Sequence, residues 1–243
     1  MNALPLLSTK PIAPRDRLIF ALDVPTIEIA RSWVARLGDS VTFYKVGLEF
    51  AMSGFYFELL AELRAAGKKV FADLKFYDVP ATVRGAVANL AKSGATCCTL
   101  HGAGGIYAEA VKAKGSMKLL AVTVLTSLDE TDLADLGWSG TVEELVSRRA
   151  RSAVDAGIDG LICSGNEAAR LRRELGPAPL IITPGIRAGE EHGSDDQKRT
   201  MTLTEAFHAG ADHVVVGRPI RKASDPRATA EAMQREIAAI FPG

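Results

Sequence analysis

Eight short apolar segments, spread along the whole chain, constrain its fold more than any other feature. They are rich in β-branched residues and nearly continuous, which is typical of strands covered on both faces of a parallel sheet. Between them, apolar residues recur at helical spacing, as in 27–37 and 55–66, and these segments often end at a glycine. The predicted strands are 18–24, 41–48, 70–74, 96–100, 119–125, 160–163, 180–183 and 213–217.

Strand and helix thus alternate eight times without a break in composition. This pattern favours an α/β fold, a closed (β/α)8 TIM barrel, as a single domain over residues 1–243, because such barrels reach about this length as one unit. An open doubly wound sheet is the alternative. The first strand runs into Asp23-Val-Pro25 rather than G-x-G-x-x-G, so a Rossmann nucleotide-cofactor domain is not expected.

Charge and cysteine content narrow the class of partner. The 29 basic and 29 acidic residues balance and form no long run of one sign, which argues against a nucleic-acid partner. No segment approaches the length of a membrane span, and residues 1–14 lack a continuous apolar signal region. Cys97, Cys98 and Cys163 fit neither a disulfide framework nor a zinc spacing, so we expect reduced core thiols in a cytoplasmic protein. The balanced charge indicates a small-molecule partner.

Polar residues gather where several predicted strands end. In (β/α)8 barrels the reacting groups come from the carboxyl ends of the strands and from the loops that follow, so these residues are expected to meet at one rim. The candidates of this kind are Asp23, Lys45, Asp73, Lys75, Asp78, Thr126 and Ser127.

Four of these charges suggest one chemistry. Residues two apart on a strand face the same side, so Asp73 and Lys75 point inward together if either does. Taken alone, they are as consistent with a structural ion pair as with a functional site. With Lys45 and Asp78 added, an alternating network becomes available, in which a carboxylate repels a substrate carboxylate and an ammonium protonates the resulting carbanion.

A second predicted site lies after the seventh and eighth strands, where barrels frequently bind phosphate. Arg187 and Arg218 offer forked donors to phosphate oxygens, and Gly217 allows backbone N–H groups to approach an anion. The loop 188–200 is long and therefore expected to be functional or mobile, and Gln197 is placed to cap the phosphate from it.

The segment Asp73-Leu-Lys-Phe-Tyr-Asp-Val-Pro-Ala-Thr82 closely resembles the D-x-K-x-x-D-I/V-P-x-T signature of orotidine 5′-phosphate decarboxylases, and the chain resembles the bacterial type. The resemblance continues in the family's order along nearly the whole chain. It includes 21–23, 44–47, 122–126, 183–187 and 216–219.

This resemblance implies conversion of orotidine 5′-monophosphate to uridine 5′-monophosphate and CO2, the last step of de novo pyrimidine biosynthesis, with no metal or other cofactor. It implies that Lys75 protonates the C6 carbanion and that Asp73 presses on the substrate carboxylate. Lys45 is expected to link the carboxylates to the ribose, and Asp23 to bind a ribose hydroxyl.

The remaining roles also come from the resemblance. Asp78 and Thr82 are expected to reach the site of a partner subunit, which implies a homodimer with shared active sites. The pyrimidine and phosphate positions follow the order of the motifs. They are Thr126 and Ser127 for the pyrimidine, and Arg187, Gln197, Gly217 and Arg218 for the phosphate, with Pro184 as a further substrate-binding residue.

Two alternatives stay open. A related branch of sugar-phosphate decarboxylases and hexulose-phosphate synthases shares the D-x-K-x-x-D pattern but uses magnesium. That branch has a glutamate ligand where this chain has Lys45, whose ammonium would repel a divalent cation. A non-catalytic phosphate-binding barrel would keep Arg187 and Arg218 but would not require the four charges together.

Overall fold

The sheet closes into an eight-stranded parallel barrel in the computed structural model, which describes residues 6–187 and 201–242. Each strand pairs with the next, and β1 pairs with β8, so the prediction of a closed barrel is confirmed over the open sheet. All eight predicted strands are present. They are β1 (Leu18–Ala21), β2 (Phe43–Gly47), β3 (Lys69–Phe76), β4 (Cys97–Leu100), β5 (Lys118–Val122), β6 (Gly160–Ile162), β7 (Leu180–Thr183) and β8 (His213–Val216).

Helices surround this barrel, and in the described part of the chain none is long and apolar enough to cross a membrane. The helix predicted at 27–37 has those bounds in the structure. The helices are α1 (Ile27–Leu37), α2 (Leu48–Ala51), α3 (Tyr56–Ala65), α4 (Pro80–Lys92), α5 (Gly104–Ala113), α6 (Glu130–Asp135), α7 (Val142–Asp155), α8 (Gly165–Leu175), α9 (Leu203–His208), α10 (Arg218–Arg221) and α11 (Pro226–Ile240).

Glycines end helices where the chain turns back toward the sheet. Gly157 after α7 has a φ of 88° and Gly210 after α9 a φ of 98°, a left-handed conformation that costs a residue with a Cβ about 1–2 kcal/mol. These turns let β6 and β8 begin within a few residues of the preceding helix. The glycine-ended helices of the sequence interpretation are thus confirmed at these positions.

The barrel interior and the helix-facing side of the strands form two separate apolar clusters. Phe43, Phe71 and Cys97 belong to the interior cluster, which fills the barrel. Two residues further along the same strands lie Lys45, Asp73 and Thr99, since alternate strand residues share a face. The apolar filling therefore ends one layer below a layer of polar side chains at the carboxyl ends of β2, β3 and β4.

The three cysteines are buried and form no disulfide, which confirms their prediction as core thiols. Cys97 lies in the interior cluster, whereas Cys98 and Cys163 face the helices. Burial raises the pKa of the Cys98 thiol to about 12, so this group stays protonated at neutral pH.

His213 is a buried histidine at the start of β8. Its Nδ1 lies 2.8 Å from the backbone oxygen of Asp16, and its ring packs edge-on against Phe43. Burial lowers the pKa of the imidazole from 6.5 to about 4. The folded protein therefore holds this ring in its neutral form.

We expect His213 to make the fold sensitive to acid. Because its folded-state pKa is depressed, its contribution is complete above the unfolded pKa of about 6.5 and is lost as pH falls toward 4. The loss should reach roughly 3 kcal/mol of unfolding free energy between pH 7 and pH 4. Urea unfolding at several pH values measures it, and His213→Gln should flatten the profile while His208→Gln, at an exposed position, should not. Equal profiles for all three proteins would contradict this assignment.

Candidate active site

A cavity of about 430 Å³ opens at the carboxyl ends of the strands. It is the position at which TIM-barrel enzymes carry their active sites. Most of the sequence-predicted site residues line it, although they come from distant parts of the chain. They are Asp23, Lys45, Asp73, Lys75, Thr126, Ser127, Pro184, Arg187, Gly217 and Arg218.

Four charges on one side of the cavity alternate in sign. Lys45 Nζ lies 2.8 Å from Asp23 Oδ1 and 3.3 Å from Asp73 Oδ2. Lys75 Nζ lies 2.8 Å from Asp73 Oδ1. Asp73 therefore sits between the two ammonium groups, and Lys45 between the two carboxylates. The order Asp23–Lys45–Asp73–Lys75 is named here the charge network.

The central pair of the charge network stays ionised despite its burial. Burial opposes the charge on Lys45, but Asp73 and Asp23 outweigh it and raise the pKa of the ammonium. Burial likewise opposes the charge on Asp73, but Lys45 and Lys75 outweigh it and lower the pKa of that carboxyl. The cavity thus presents a fixed anion with ammonium groups beside it.

Lys75 enters the network through an irregular stretch of β3. The register between β3 and β4 shifts between Ala72 and Phe76, and Lys75 has a φ of 48°. Within residues 6–187 and 201–242 it is the one non-glycine residue with a positive φ. Asp73 and Lys75 both face the cavity as strand alternation predicts, but the regular strand assumed for that prediction is interrupted at Lys75.

Arginines occupy the other side of the cavity. Arg187 follows β7, and Arg218 and Arg221 lie on α10 after β8. Burial, together with repulsion from Arg187 and Arg221, lowers the pKa of the Arg218 guanidinium. A bound anion would relieve this repulsion, as expected of a phosphate site. Gly217 suits close approach as well, because a Cβ there would already lie 3.3 Å from the Cβ of Ala21.

Sequence interpretation missed two residues that bear on the charge network. Arg221 lines the cavity and donates from Nη1 to the backbone oxygen of Asp23 at 2.5 Å, so it joins the arginine side to the charge network. Its spacing of three from Arg218 on a helix was the available signal. Gly47 was missed as well, and although it does not line the cavity it borders the charge network, because an added Cβ would lie 3.3 Å from Lys45 Nζ and 3.4 Å from Asp23 Oδ1.

Two predicted residues lie outside the cavity of their own chain. Asp78 and Thr82 are exposed, and Asp78 Oδ1 accepts a hydrogen bond from the backbone N–H of Val79 at 2.6 Å. Within one chain the second carboxylate of the charge network is Asp23, not Asp78. That part of the residue-based network prediction is corrected, because the chain turns outward after β3. Gln197 and the loop 188–200 lie outside the described residues.

Histidine, cysteine and carboxylate side chains form no group of three that could hold a metal in the described ranges 6–187 and 201–242. The carboxylates of Asp23 and Asp73 approach each other, but the ammonium of Lys45 already lies between them. A divalent cation at this position would meet that positive charge.

Fold and cavity together define a TIM-barrel enzyme with a charged site for a small anionic substrate. The chain belongs to the orotidine 5′-phosphate decarboxylase / HUMPS family, whose sequence model matches residues 16–233.

Individual relatives agree with this assignment. An orotidine 5′-phosphate decarboxylase of Methylococcus capsulatus is 52% identical over 235 residues, which cover 97% of each chain. One of Xanthomonas euvesicatoria is 53% identical over 234 residues, with 96% of each chain covered.

Solved structures show the same barrel. The crystal structure of orotidine 5′-phosphate decarboxylase from Lactobacillus acidophilus superposes with a TM-score of 0.80 at 34% identity, over 91% of this chain and 99% of that one. An uncharacterized conserved protein from Geobacillus kaustophilus superposes with a TM-score of 0.76 at 30% identity, over 90% of this chain and 99% of that one. These superpositions agree with the predicted fold class.

Proposed function

We propose that this enzyme decarboxylates orotidine 5′-monophosphate to uridine 5′-monophosphate and CO2 in pyrimidine biosynthesis, without a cofactor. Family membership and the names of the relatives support the reaction. The observation that carries the proposal is the charge network, which places the Asp73 carboxylate between two ammonium groups at one side of the cavity. The arginines at the other side fit the substrate phosphate.

In the proposed mechanism, binding energy at the phosphate is used to hold the substrate carboxylate near Asp73. Arg187 and Arg218 bind the phosphate with the backbone at Gly217, and Pro184 lines the same part of the cavity. Gln197 is included on the family resemblance alone. The ionised Asp73 then repels the substrate carboxylate, and this repulsion is relieved as CO2 leaves. Interactions made with a distant part of the substrate thus lower the barrier at the reacting carbon.

Lys75 completes the proposed reaction. The bond between C6 and the carboxylate breaks, CO2 departs, and the electron pair stays on C6 as a carbanion. The Lys75 ammonium stabilises this charge and then donates a proton to C6, leaving a neutral amine. The Lys75 side chain is 29% exposed, so solvent can restore its proton after each turnover.

The other cavity residues are assigned to recognition. Lys45 and Asp23 are proposed to bind the ribose hydroxyls, since their 2.8 Å ion pair lies next to Asp73 and faces the cavity. Thr126 and Ser127 follow β5 and are proposed to bind the pyrimidine. Their hydroxyls can donate or accept hydrogen bonds at the polar edge of the base.

We further propose that the enzyme is a homodimer in which Asp78 and Thr82 complete the partner's site. Both side chains are exposed and lie outside the cavity of their own chain. Tyr77 and Val79, on either side of Asp78, are 72% and 61% exposed. Apolar side chains grouped around a charged residue fit an interface between subunits better than a solvated surface.

Two further proposals concern the whole chain. We propose that residues 1–243 form one domain, supported by a barrel that closes between β1 and β8; a single cooperative unfolding transition would test it. We also propose a cytoplasmic location, supported by three buried thiols without disulfides, which cell fractionation would test.

Turnover of orotidine 5′-monophosphate by the purified protein tests the proposed function. We expect stoichiometric formation of uridine 5′-monophosphate, followed by absorbance and confirmed by chromatography, at the same rate with and without EDTA. The reason is that the Lys45 ammonium lies between the site carboxylates and would repel a divalent cation. Absence of turnover would reject the decarboxylase function. Loss of turnover with EDTA, restored by Mg²⁺, would instead favour the magnesium-dependent branch.

A further inference from the structure

Thr99 is a buried residue of β4 that contacts two members of the charge network at once. It is 1% exposed. Its Oγ1 accepts a hydrogen bond from the backbone N–H of Lys75 at 2.9 Å and donates one to Asp73 Oδ1 at 2.9 Å. A hydroxyl has one proton to give and lone pairs to accept with, so a single Thr99 hydroxyl can make both bonds together.

The bond to the Lys75 amide lies where the regular ladder between β3 and β4 is interrupted. The register shifts between Ala72 and Phe76, and Lys75 adopts a φ of 48° in this interval. The Thr99 hydroxyl takes the place of a backbone carbonyl as the acceptor for the Lys75 N–H. It thereby stabilises a conformation that costs a residue with a Cβ about 1–2 kcal/mol.

The hydrogen bond from Thr99 to Asp73 fixes the orientation of the Asp73 carboxylate. Asp73 Oδ1 accepts from both Thr99 Oγ1 and Lys75 Nζ, while Oδ2 faces Lys45. Rotation of the carboxylate about its χ2 would break the bond from Thr99. The hydroxyl therefore ties the backbone of Lys75 and the carboxylate of Asp73 to one point on β4.

We infer that Thr99 is a positioning residue that sets the distance and direction between the Asp73 carboxylate and the Lys75 ammonium for decarboxylation. This inference rests on the proposed function. Thr99 need not touch the substrate, and it is absent from the cavity wall. Its loss should therefore lower kcat and leave the KM for orotidine 5′-monophosphate nearly unchanged.

Thr99→Val tests this role because it keeps the branched shape and removes the hydroxyl. We expect kcat to fall about 10- to 100-fold, the scale of effect that small misplacements of reacting groups produce. Thr99→Ser keeps the hydroxyl and should restore most of the activity. Thr123→Val is the matched control, because Thr123 is also buried and strand-adjacent but its hydroxyl donates to the Ile162 backbone oxygen, away from the charge network.

Hydrogen exchange of the Lys75 amide gives a second readout that does not depend on turnover. It should become faster in Thr99→Val and stay unchanged in Thr99→Ser and Thr123→Val, since only the first loses the acceptor of that N–H. If Thr99→Val does not fold, Thr99→Ala can be measured in its place, because it removes the same hydroxyl.

The possible outcomes distinguish failure of the positioning role of Thr99 from failure of the proposed function. A normal kcat in the folded valine variant, or a kcat loss that serine does not restore, would overturn the positioning role. If the unsubstituted protein does not turn over the substrate, the proposed function fails, and the exchange rate of the Lys75 amide then decides the positioning role alone. Unchanged exchange in Thr99→Val would reject it.

Discussion

Lys75→Ala should lower turnover of orotidine 5′-monophosphate severely while binding of uridine 5′-monophosphate remains measurable. The variant loses the ammonium that lies 2.8 Å from Asp73 and that is proposed to protonate C6. Removal of a positioned general acid lowers kcat by roughly 100- to 10,000-fold. The arginines at the phosphate side of the cavity are untouched, so the nucleotide should still bind. Steady-state kinetics and titration calorimetry measure the two quantities.

Lys69→Ala is the matched control for this experiment. Lys69 begins the same strand, β3, at the opposite end from the cavity, and its half-exposed side chain pairs with Asp16. Removing it deletes a lysine from the strand without changing the charge network, so kcat should stay near that of the unsubstituted protein. If Lys75→Ala keeps near-normal kcat, Lys75 cannot be the proton donor.

Mixing inactive Asp73→Ala and Asp78→Ala proteins should restore activity to about a quarter of that of the unsubstituted enzyme. Random exchange makes half of the dimers mixed, and each mixed dimer holds one intact site out of two if Asp78 serves the partner. In that intact site, Asp73 comes from one subunit and Asp78 from the other. The measurement is specific activity after subunit exchange, with exchange verified by native mass spectrometry.

A second mixture controls for recovery by any other route. Asp73 and Lys75 belong to the charge network of one chain, so a mixed dimer of Asp73→Ala and Lys75→Ala contains no intact site. This mixture should stay inactive. If the Asp73→Ala and Asp78→Ala pair also stays inactive despite verified exchange, the shared-site proposal is wrong.

The barrel could be predicted from the sequence because buried parallel strands have a distinct composition. Strand ends were less predictable. The first strand was predicted to reach residue 24, but it ends at Ala21. The third strand, β3, extends two residues beyond its predicted end at 74. Hydrophobic runs show which residues are buried, but backbone pairing with the neighbouring strands decides where a strand ends.

The charged residues of the site were predicted because burial of a charge is costly and their spacing is unusual. Thr99 was missed because threonine is ordinary in a strand, and its role depends on the register shift opposite it. The network membership of Asp78 was predicted from its nearness in sequence to Lys75. The outward turn after β3 separates them within one chain. Pro80 signals the start of the next helix, but it does not show in which direction the chain turns.

The left-handed conformation of Lys75 has a consequence for how this enzyme can change. Glycine adopts a φ of 48° without the steric cost that a Cβ brings, so glycine is the residue that this backbone position favours. The proposed reaction requires an ammonium there instead. The backbone and the side chain of residue 75 thus make opposite demands, because glycine would relieve the backbone strain but would leave the buried Asp73 carboxylate with one ammonium partner fewer.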